Sequence, residues 1–326
     1  KWGEKILEKP DNLKLAVLKS SKENAWFDKK SQWKAIESVA RNYLLSHELK
    51  EWIRAYPLNE NPKNVGIIMA GNIPLVGFHD ALSVLVSGHF AKIKLSEKDK
   101  YLMPALISIL GNINKEQADR LMITDKLYDI DAVIATGSNN SGNYFESYFK
   151  DYPKVIRKNR NSLAVLTGEE SDEDIEKLSK DIMDYYGLGC RSISKIFIRS
   201  KKDRERIFES LEKYKRIIEN EPYGNNFKYN YAIYAMNREN FETNNMIMMK
   251  ESESLQSRIA CLHYEEYEDD EAVSEFIKEN EENLQCIVAK EDAIGGRKAL
   301  NFGETQSPGL FDYADNVDTR QFLSEL

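Results

Sequence analysis

Residues 64–97 read NVGIIMAGNIPLVGFHDALSVLVSGHFAKIKLSE, and the fold class turns on how this stretch divides. NVGIIMAG (64–71) is short, apolar and β-branched and stops at Gly71, which is the pattern of a buried strand. GFHDALSVLVSGH (77–89) is a helical stretch, and FAKIKLSE (90–97) alternates as a strand does. Parallel strands need a long crossover, usually helical, so strand, helix, strand in this order implies a parallel pair. The alternation continues downstream. KYLMPALISILGNI (100–113) reads as helix, YDIDAVIATG (128–137) as a strand ending on glycine, and NYFESYFKDY (143–152) as helix.

Upstream, the first 56 residues read as helices. SQWKAIESVARNYLLSHELKEWIRAY (31–56) places Trp33, Ile36, Val39, Ala40, Tyr43 and Leu44 at three- and four-residue spacings, one amphipathic face. PLNENPKN (57–64) then interrupts the chain with two prolines and three asparagines. Downstream a second α/β segment begins. SLAVLTG (162–168), SISKIFIRS (192–200), LQSRIACLHYEEY (255–267) and LQCIVAK (284–290) read as strands. SDEDIEKLSKDIMDYYG (171–187) carries a Ser171-x-x-Asp174 start signal and a closing Gly187, and DRERIFESLEKYKRII (203–218) is helical. The acidic YEEYEDDEAVSEFIKENEEN (264–283) reads as a solvated helix with its flanking loop. The expected architecture is two α/β domains, 1–157 and 158–326.

Composition narrows the function classes. A chain of 326 residues that is 41% hydrophobic can bury two cores. The net charge of −8 leaves no basic excess to neutralise phosphates, which argues against a nucleic-acid surface. No apolar run approaches the roughly 20 residues of a membrane span. The chain opens on KWGEK with no apolar segment of a secretory signal, and without Met, so the true N-terminus is expected to lie upstream. Three cysteines without a C-x-x-C pair suit a reducing cytoplasm and make neither a disulfide framework nor a metal site.

Among those cysteines Cys190, in DYYGLGCRSISKIFI (184–198), stands out. The thiolate is the nucleophilic form, and cations favour it. Arg191 supplies a neighbouring cation, and Gly187 and Gly189 permit close approach of a substrate. A small buried hydrophobe is the other reading. Cys261 and Cys286 alternate within strands and read as core. In MAGNIPLVGF (69–78), Asn72 precedes Pro74; its amide can donate to a developing oxyanion, or it is a plain turn residue. In ATGSNNSGNYFESYF (135–149) a strand ends at Gly137 and a helix begins near Asn140, where amide groups can receive a phosphate. An ordinary strand-to-helix turn reads the same way. Lys94 ends a strand and Glu97 follows, a pair that by itself is solvated surface. None of the four histidines sits at metal-ligand spacing. His79 could touch a substrate near the Asn72 loop or be a satisfied core histidine.

In their order, Asn-x-Pro, Lys-x-x-Glu, Gly-Ser-x-x-x-Gly and Gly-x-Cys resemble the aldehyde dehydrogenase superfamily. GNIP resembles its Trp-Asn-Phe-Pro loop, KLSE its Lys-Pro-Ser-Glu, and GSNNSG its Gly-Ser-Thr-x-x-Gly, while GLGC stands where that superfamily keeps its nucleophile. ESLQS (253–257) is similar to Glu-x-Phe-Gly-Pro, with Leu255 in place of the aromatic, and NFGETQSPGL (301–310) to a late Phe-Gly-Gly-x-x-x-Ser-Gly segment. The resemblance runs from about 60 to 326. GNIPLVGFHDALSVLVSG, YYGLGCRSISKIFI and YADNVDTRQFL resemble the LuxC-type acyl-CoA (fatty acyl) reductase branch.

The resemblance implies two open parallel-sheet α/β domains with the active site in the cleft between them. The first is then N-terminal helices plus a dinucleotide-binding domain, and the second carries the nucleophile. It further implies NAD(P)H-dependent reduction of an acyl thioester to aldehyde through an acyl-cysteine on Cys190, with Asn72 and the Cys190 amide holding the oxyanion. Lys94 and Glu97 would meet the adenosine ribose, Gly137 and Ser138 the pyrophosphate, and Glu253 the nicotinamide ribose. The branch implies NADPH, with NADH as the alternative, since Glu97 opposes a 2′-phosphate that Lys92, Lys94 and Lys98 could offset. Oxidising relatives carry a water-activating Glu where IRKNRNSLAVL (156–166) has Lys158 and Asn159. The acyl-cysteine would therefore await hydride or a thiol. Acyl-CoA or an acyl-protein thioester is the expected substrate, and an acyl-protein synthetase the expected partner. An acyltransferase or thioesterase using the same acyl-cysteine, or a non-catalytic protein keeping the fold, are the alternatives. The superfamily's oligomer-forming hairpin would fall where PLNENPKN stands, so that arm is expected to be reduced or missing.

Overall fold

Apolar runs make two sheets in the computed structural model, which describes residues 1–290, 293–294 and 296–326. In the first lie β1 (Asn64–Ile68), β2 (Phe90–Lys94), β3 (Leu121–Ile123), β4 (Ala132–Thr136) and β5 (Lys154–Arg157). All its pairs are parallel, in the order β3-β2-β1-β4-β5. The second holds β6 (Asn161–Val165), β7 (Ile193–Ile198), β8 (Glu242–Thr243), β9 (Met248–Glu251), β10 (Cys261–Glu266) and β11 (Leu284–Ala289). Its order is β11-β6-β7-β10-β9-β8, parallel except for the short β8–β9 pair. Near-continuous burial along β1, β4, β6 and β7 is what a parallel sheet covered on both faces requires.

Two compact units result, 1–159 with 307–326, and 160–306. The second domain expected over 158–326 thus ends at 306, because the last residues pack into the first unit. Thr319, Arg320, Leu310 and Leu323 are buried there. The Trp52 indole donates to the Tyr313 hydroxyl (2.8 Å), the Arg320 guanidinium to the Ile53 carbonyl (3.1 Å), and Arg157 to both Asp80 and Thr319. YADNVDTRQFL is therefore a structural clasp of the first unit. Its chain distance from the rest of that unit hid this.

The amphipathic face over 31–56 is present, but its helix is broken. Lys29–Ser38 is α-helical and capped by Asp28, Val39–Leu44 winds as π-helix, and Leu49–Arg54 is separate. The wider π turn sets Tyr43 against Phe78, ring centroids 6.3 Å apart. Residues 55–63 form no strand before β1. The start signal at Ser171 forms a full capping box with Asp174, opening the helix Asp172–Met183. The acidic stretch holds the helix Asp270–Glu279, which buries Val273 and Ile277. β3, β5, β9 and the helix Glu221–Met236 were not read from the sequence: the strands are short, and the helix lacks an apolar stripe. Among the described residues no helix is long and apolar enough to cross a membrane, and no three His, Cys, Asp or Glu side chains could hold a metal ion.

Candidate active site

In the first unit, the chain leaves β1 and β4 for opposite sides of the sheet, a topological switch point outside the carboxyl ends of the strands. The 69–77 loop after β1 and the Gly137–Ser138 turn after β4 both start there. The first loop lies on the end of β2: Met69 N–H donates to the Lys94 carbonyl (3.0 Å), and a Cβ on Gly71 would stand 2.6 Å from Ser96 Oγ. Only glycine fits at that approach, which explains GNIP packing over KLSE. Leu75 takes a left-handed conformation (φ 61°), and its N–H donates to buried Asp99 at 2.7 Å. Burial pushes the Asp99 carboxyl up to about 6, against the pull of the Leu75 amide. Asn72 is left exposed on this loop.

Lys94, Glu97 and Ser138 are exposed at the same edge, and Gly137 is half-buried. Ser138 caps the helix Asn139–Tyr148 by accepting the Ser141 amide (3.3 Å). A capped helix start beside a switch point, with Lys94 ending β2 and Glu97 three residues beyond it, is a donor set that could hold the phosphate and ribose of a dinucleotide. Lys92 is not part of this edge. Its ammonium donates to the carbonyls of Tyr128 (2.9 Å) and Asp129 (2.7 Å). His79 sits among Tyr43, Trp52 and Tyr313, and its Nε2 donates to the Leu310 carbonyl (2.9 Å), a satisfied core histidine. Lys158 lies along the helix Asn139–Tyr148 under Gly142, and Asn159 N–H donates to Asn139 Oδ1 (3.0 Å).

In the second unit, the helix Asp172–Met183 ends in three successive left-handed residues, Tyr185 (φ 53°), Tyr186 (φ 61°) and Gly187 (φ 71°). Glycine accepts this freely; each tyrosine costs about 1–2 kcal/mol. The strained reversal delivers Cys190, exposed, to the amino-terminal edge of the sheet. Fully buried Ser162 on β6 fixes it there. The Ser162 hydroxyl donates to the Cys190 carbonyl (2.9 Å) and accepts the Cys286 N–H (3.1 Å). The Cys190 sulfur lies 4.0 Å from Gln285 Oε1. Arg191 donates to Cys286 Sγ (3.4 Å) and to the Thr305 carbonyl (3.4 Å). Cys261 and Cys286 are buried, and burial pushes the Cys261 thiol up to about 11.

Two segments singled out by sequence are held nearby by groups the sequence reading missed. Asp181 accepts the Gly303 amide (2.6 Å) and the Thr305 hydroxyl (2.8 Å), anchoring NFGETQ to its helix. Burial raises the Asp181 carboxyl, and these donors oppose the rise. Three side chains hold carbonyls around exposed Glu253: Lys195 Nζ on Ser252 (2.7 Å), His263 Nδ1 on Ser254 (2.9 Å) and Ser194 Oγ on Leu255 (2.9 Å). The available signal was a lysine and a histidine inside apolar strands, Lys195 in SISKIFI and His263 in ACLHY.

Solved structures similar to this chain are aldehyde dehydrogenases. Aldehyde dehydrogenase 21 of Physcomitrella patens, in complex with succinate, is 12% identical, with a TM-score of 0.71 over 99% of this chain and 82% of its own. The aldehyde dehydrogenase of Bacillus cereus, as its NAD+ complex, is 14% identical, with a TM-score of 0.61 over 91% and 73%. The NAD-dependent enzyme of Sinorhizobium meliloti is 14% identical, with a TM-score of 0.64 over 90% and 70%. At such identities the likeness is one of fold, and it bears out the aldehyde dehydrogenase-like α/β class. No curated protein sequence matches the chain. The family model described as acyl-CoA reductase (LuxC) matches residues 34–289, most of the chain. The chain therefore belongs to the LuxC family of acyl-CoA reductases, aldehyde-forming oxidoreductases that draw hydride from a reduced nicotinamide.

Proposed function

We propose that Cys190 carries the acyl group between thioester and aldehyde. One observation carries this reading: of the three cysteines Cys190 alone is exposed, on a turn whose carbonyl is tied to Ser162. The Cys190 thiolate forms a bond to the thioester carbonyl carbon, and the donor's thiolate leaves. Asn72 and the Cys190 N–H are the donors for the intervening oxyanion. The 160–306 unit is the catalytic one and the 1–159 unit holds the dinucleotide, with Lys94 and Glu97 toward the adenosine ribose, Gly137 and Ser138 toward the pyrophosphate, and Glu253 toward the nicotinamide ribose. When bound, the reduced nicotinamide supplies the hydride that discharges the acyl-cysteine as aldehyde. Lys158 and Asn159 offer no carboxylate to activate water, which favours reductive discharge over hydrolysis.

NADPH is the preferred donor in this reading, supported by exposed Lys94 and Lys98 beside Glu97; Lys92 is engaged elsewhere. Acyl-CoA or an acyl-protein thioester is the substrate, an acyl-protein synthetase the partner implied by the family, and the cytoplasm the compartment suited to an exposed thiol. Intact-protein mass spectrometry after acyl-CoA exposure tests the proposal. An acyl adduct that is absent in Cys190→Ala and disappears with NADPH as aldehyde forms is the expected result. No adduct, or equal adduct on Cys190→Ala, overturns it, and release of free acid instead of aldehyde marks a thioesterase. A titration showing NADH bound tenfold tighter overturns the NADPH preference alone.

A further inference from the structure

We infer that Gln285 is a catalytic residue that holds the Cys190 sulfur in its reactive form; this rests on Cys190 being the nucleophile. The first ground is the backbone. Leu284 pairs with Asn161 and Cys286 with Ser162, so Gln285 is the extra residue of a β-bulge. Bulges re-aim a side chain beside functional sites. Both neighbours of the bulge are pinned by side chains: Arg160 donates to the Leu284 carbonyl (3.1 Å), and the Cys286 N–H donates to the Ser162 hydroxyl (3.1 Å). That same hydroxyl holds the Cys190 carbonyl, so a single buried side chain sets the bulge and the cysteine turn against each other. A second bulge, at Ser194 between β6 and β7, flanks Ser162 on its other side.

The second ground is chemical. Gln285 is a mostly buried amide in an otherwise apolar strand, a position that costs stability unless the amide has partners. Its Oε1 stands 4.0 Å from the Cys190 sulfur, at the outer limit of contact for a sulfur hydrogen bond. An amide offers an acceptor at one end and donors at the other. Facing the thiol, Oε1 accepts the S–H. Once the proton has left to solvent, a half-turn of the amide presents Nε2–H to the thiolate, and this charge-assisted bond outweighs the S–H···O bond it replaces, so the balance favours the thiolate. On acylation the sulfur loses its charge and the hydrogen bond weakens, so the amide favours the attacking and departing thiolate over the acyl-enzyme.

The test reads the sulfur directly and needs neither acyl-CoA nor nicotinamide. Alkylation of the exposed thiol by iodoacetamide is followed against pH in wild type, Gln285→Met and Gln285→Glu. Met keeps the length and loses the polar partner, so the half-maximal pH rises by about one unit. The Glu carboxylate repels the thiolate, so the midpoint rises further. An unchanged midpoint in Gln285→Met overturns the inference; should that variant fail to fold, an unchanged midpoint in Gln285→Glu overturns it. Wild-type acylation, read by mass, fails or succeeds independently of this profile.

Discussion

A carbonyl attacked by sulfur gathers a full negative charge on its oxygen, and the worth of each donor depends on its meeting that charge and little else. Asn72 is suited to such a role because it is exposed while the loop around it is rigid, with Pro74, Leu75 and Gly71 all buried. Removing one oxyanion donor typically costs about 2.7–4 kcal/mol. Asn72→Ala should therefore slow acylation of Cys190 roughly 10²- to 10³-fold, read as adduct mass against time, with the melting temperature within a degree or two of wild type. Equal acylation rates would remove Asn72 from the site. At this scale the sequence marked polar residues beside Gly and Pro, as at Asn72 and Cys190, and the structure leaves both exposed. It was silent on Ser162, Gln285 and Asp99, whose contacts depend on partners far away in the chain or on bulges with no local signature.

At the scale of elements, the loops that follow strands are held by buried charges. Asp99 ties the Asn72 loop through Leu75, and it does so at a cost, since burial pushes its carboxyl up to about 6 from an ordinary 3.8. A folded-state value above the unfolded one means the native state binds the extra proton. Its stabilising share is complete below about pH 4 and lost as pH rises through 6. Asp99→Asn keeps an oxygen for the Leu75 amide and removes the buried charge. The variant should match wild type near pH 4 and exceed it above pH 6 by at most about 3 kcal/mol, measured as the shift in urea midpoint at fixed slope. A constant gap at every pH would show that the carboxyl titrates as an ordinary one. Lys195 holds the Glu253 segment in the same manner, with burial lowering its ammonium and Glu265 opposing the drop. β2, which runs up to the Asp99 turn, and β7, which carries Lys195, were legible as strands from FAKIKLSE and SISKIFIRS. β3 and β5 were not, because three or four residues at a sheet edge carry too little pattern.

For the whole molecule, the least legible feature was the return of 307–326 to the first unit, a packing decision that local periodicity does not encode. Its helix Thr319–Ser324 is too short to persist alone, so its order derives from docking. One contact makes that docking pH-dependent. Fully buried His89 accepts the Lys63 amide at Nδ1 (3.0 Å) and donates from Nε2 to the Leu323 carbonyl (3.0 Å), which requires a neutral ring. Burial holds its pKa below the usual 6.5; the Leu323 carbonyl and Asp131 pull upward, Lys63 and Arg320 downward. A folded-state value below the unfolded one has the opposite sign to Asp99: its share of stability is present above about pH 6.5 and lost as pH falls through the folded value. Global melting below pH 6.5 mixes the two effects, whereas local exchange separates them. Hydrogen exchange, corrected for intrinsic rates, should show amides of 319–326 losing protection between pH 7.5 and 5.5. Asp99→Asn leaves that loss in place. His89→Gln keeps a donor toward Leu323 but has no group to titrate, so its protection there is lower at pH 7.5 and flat across the range. Equal pH dependence in wild type and His89→Gln would assign the release to another group.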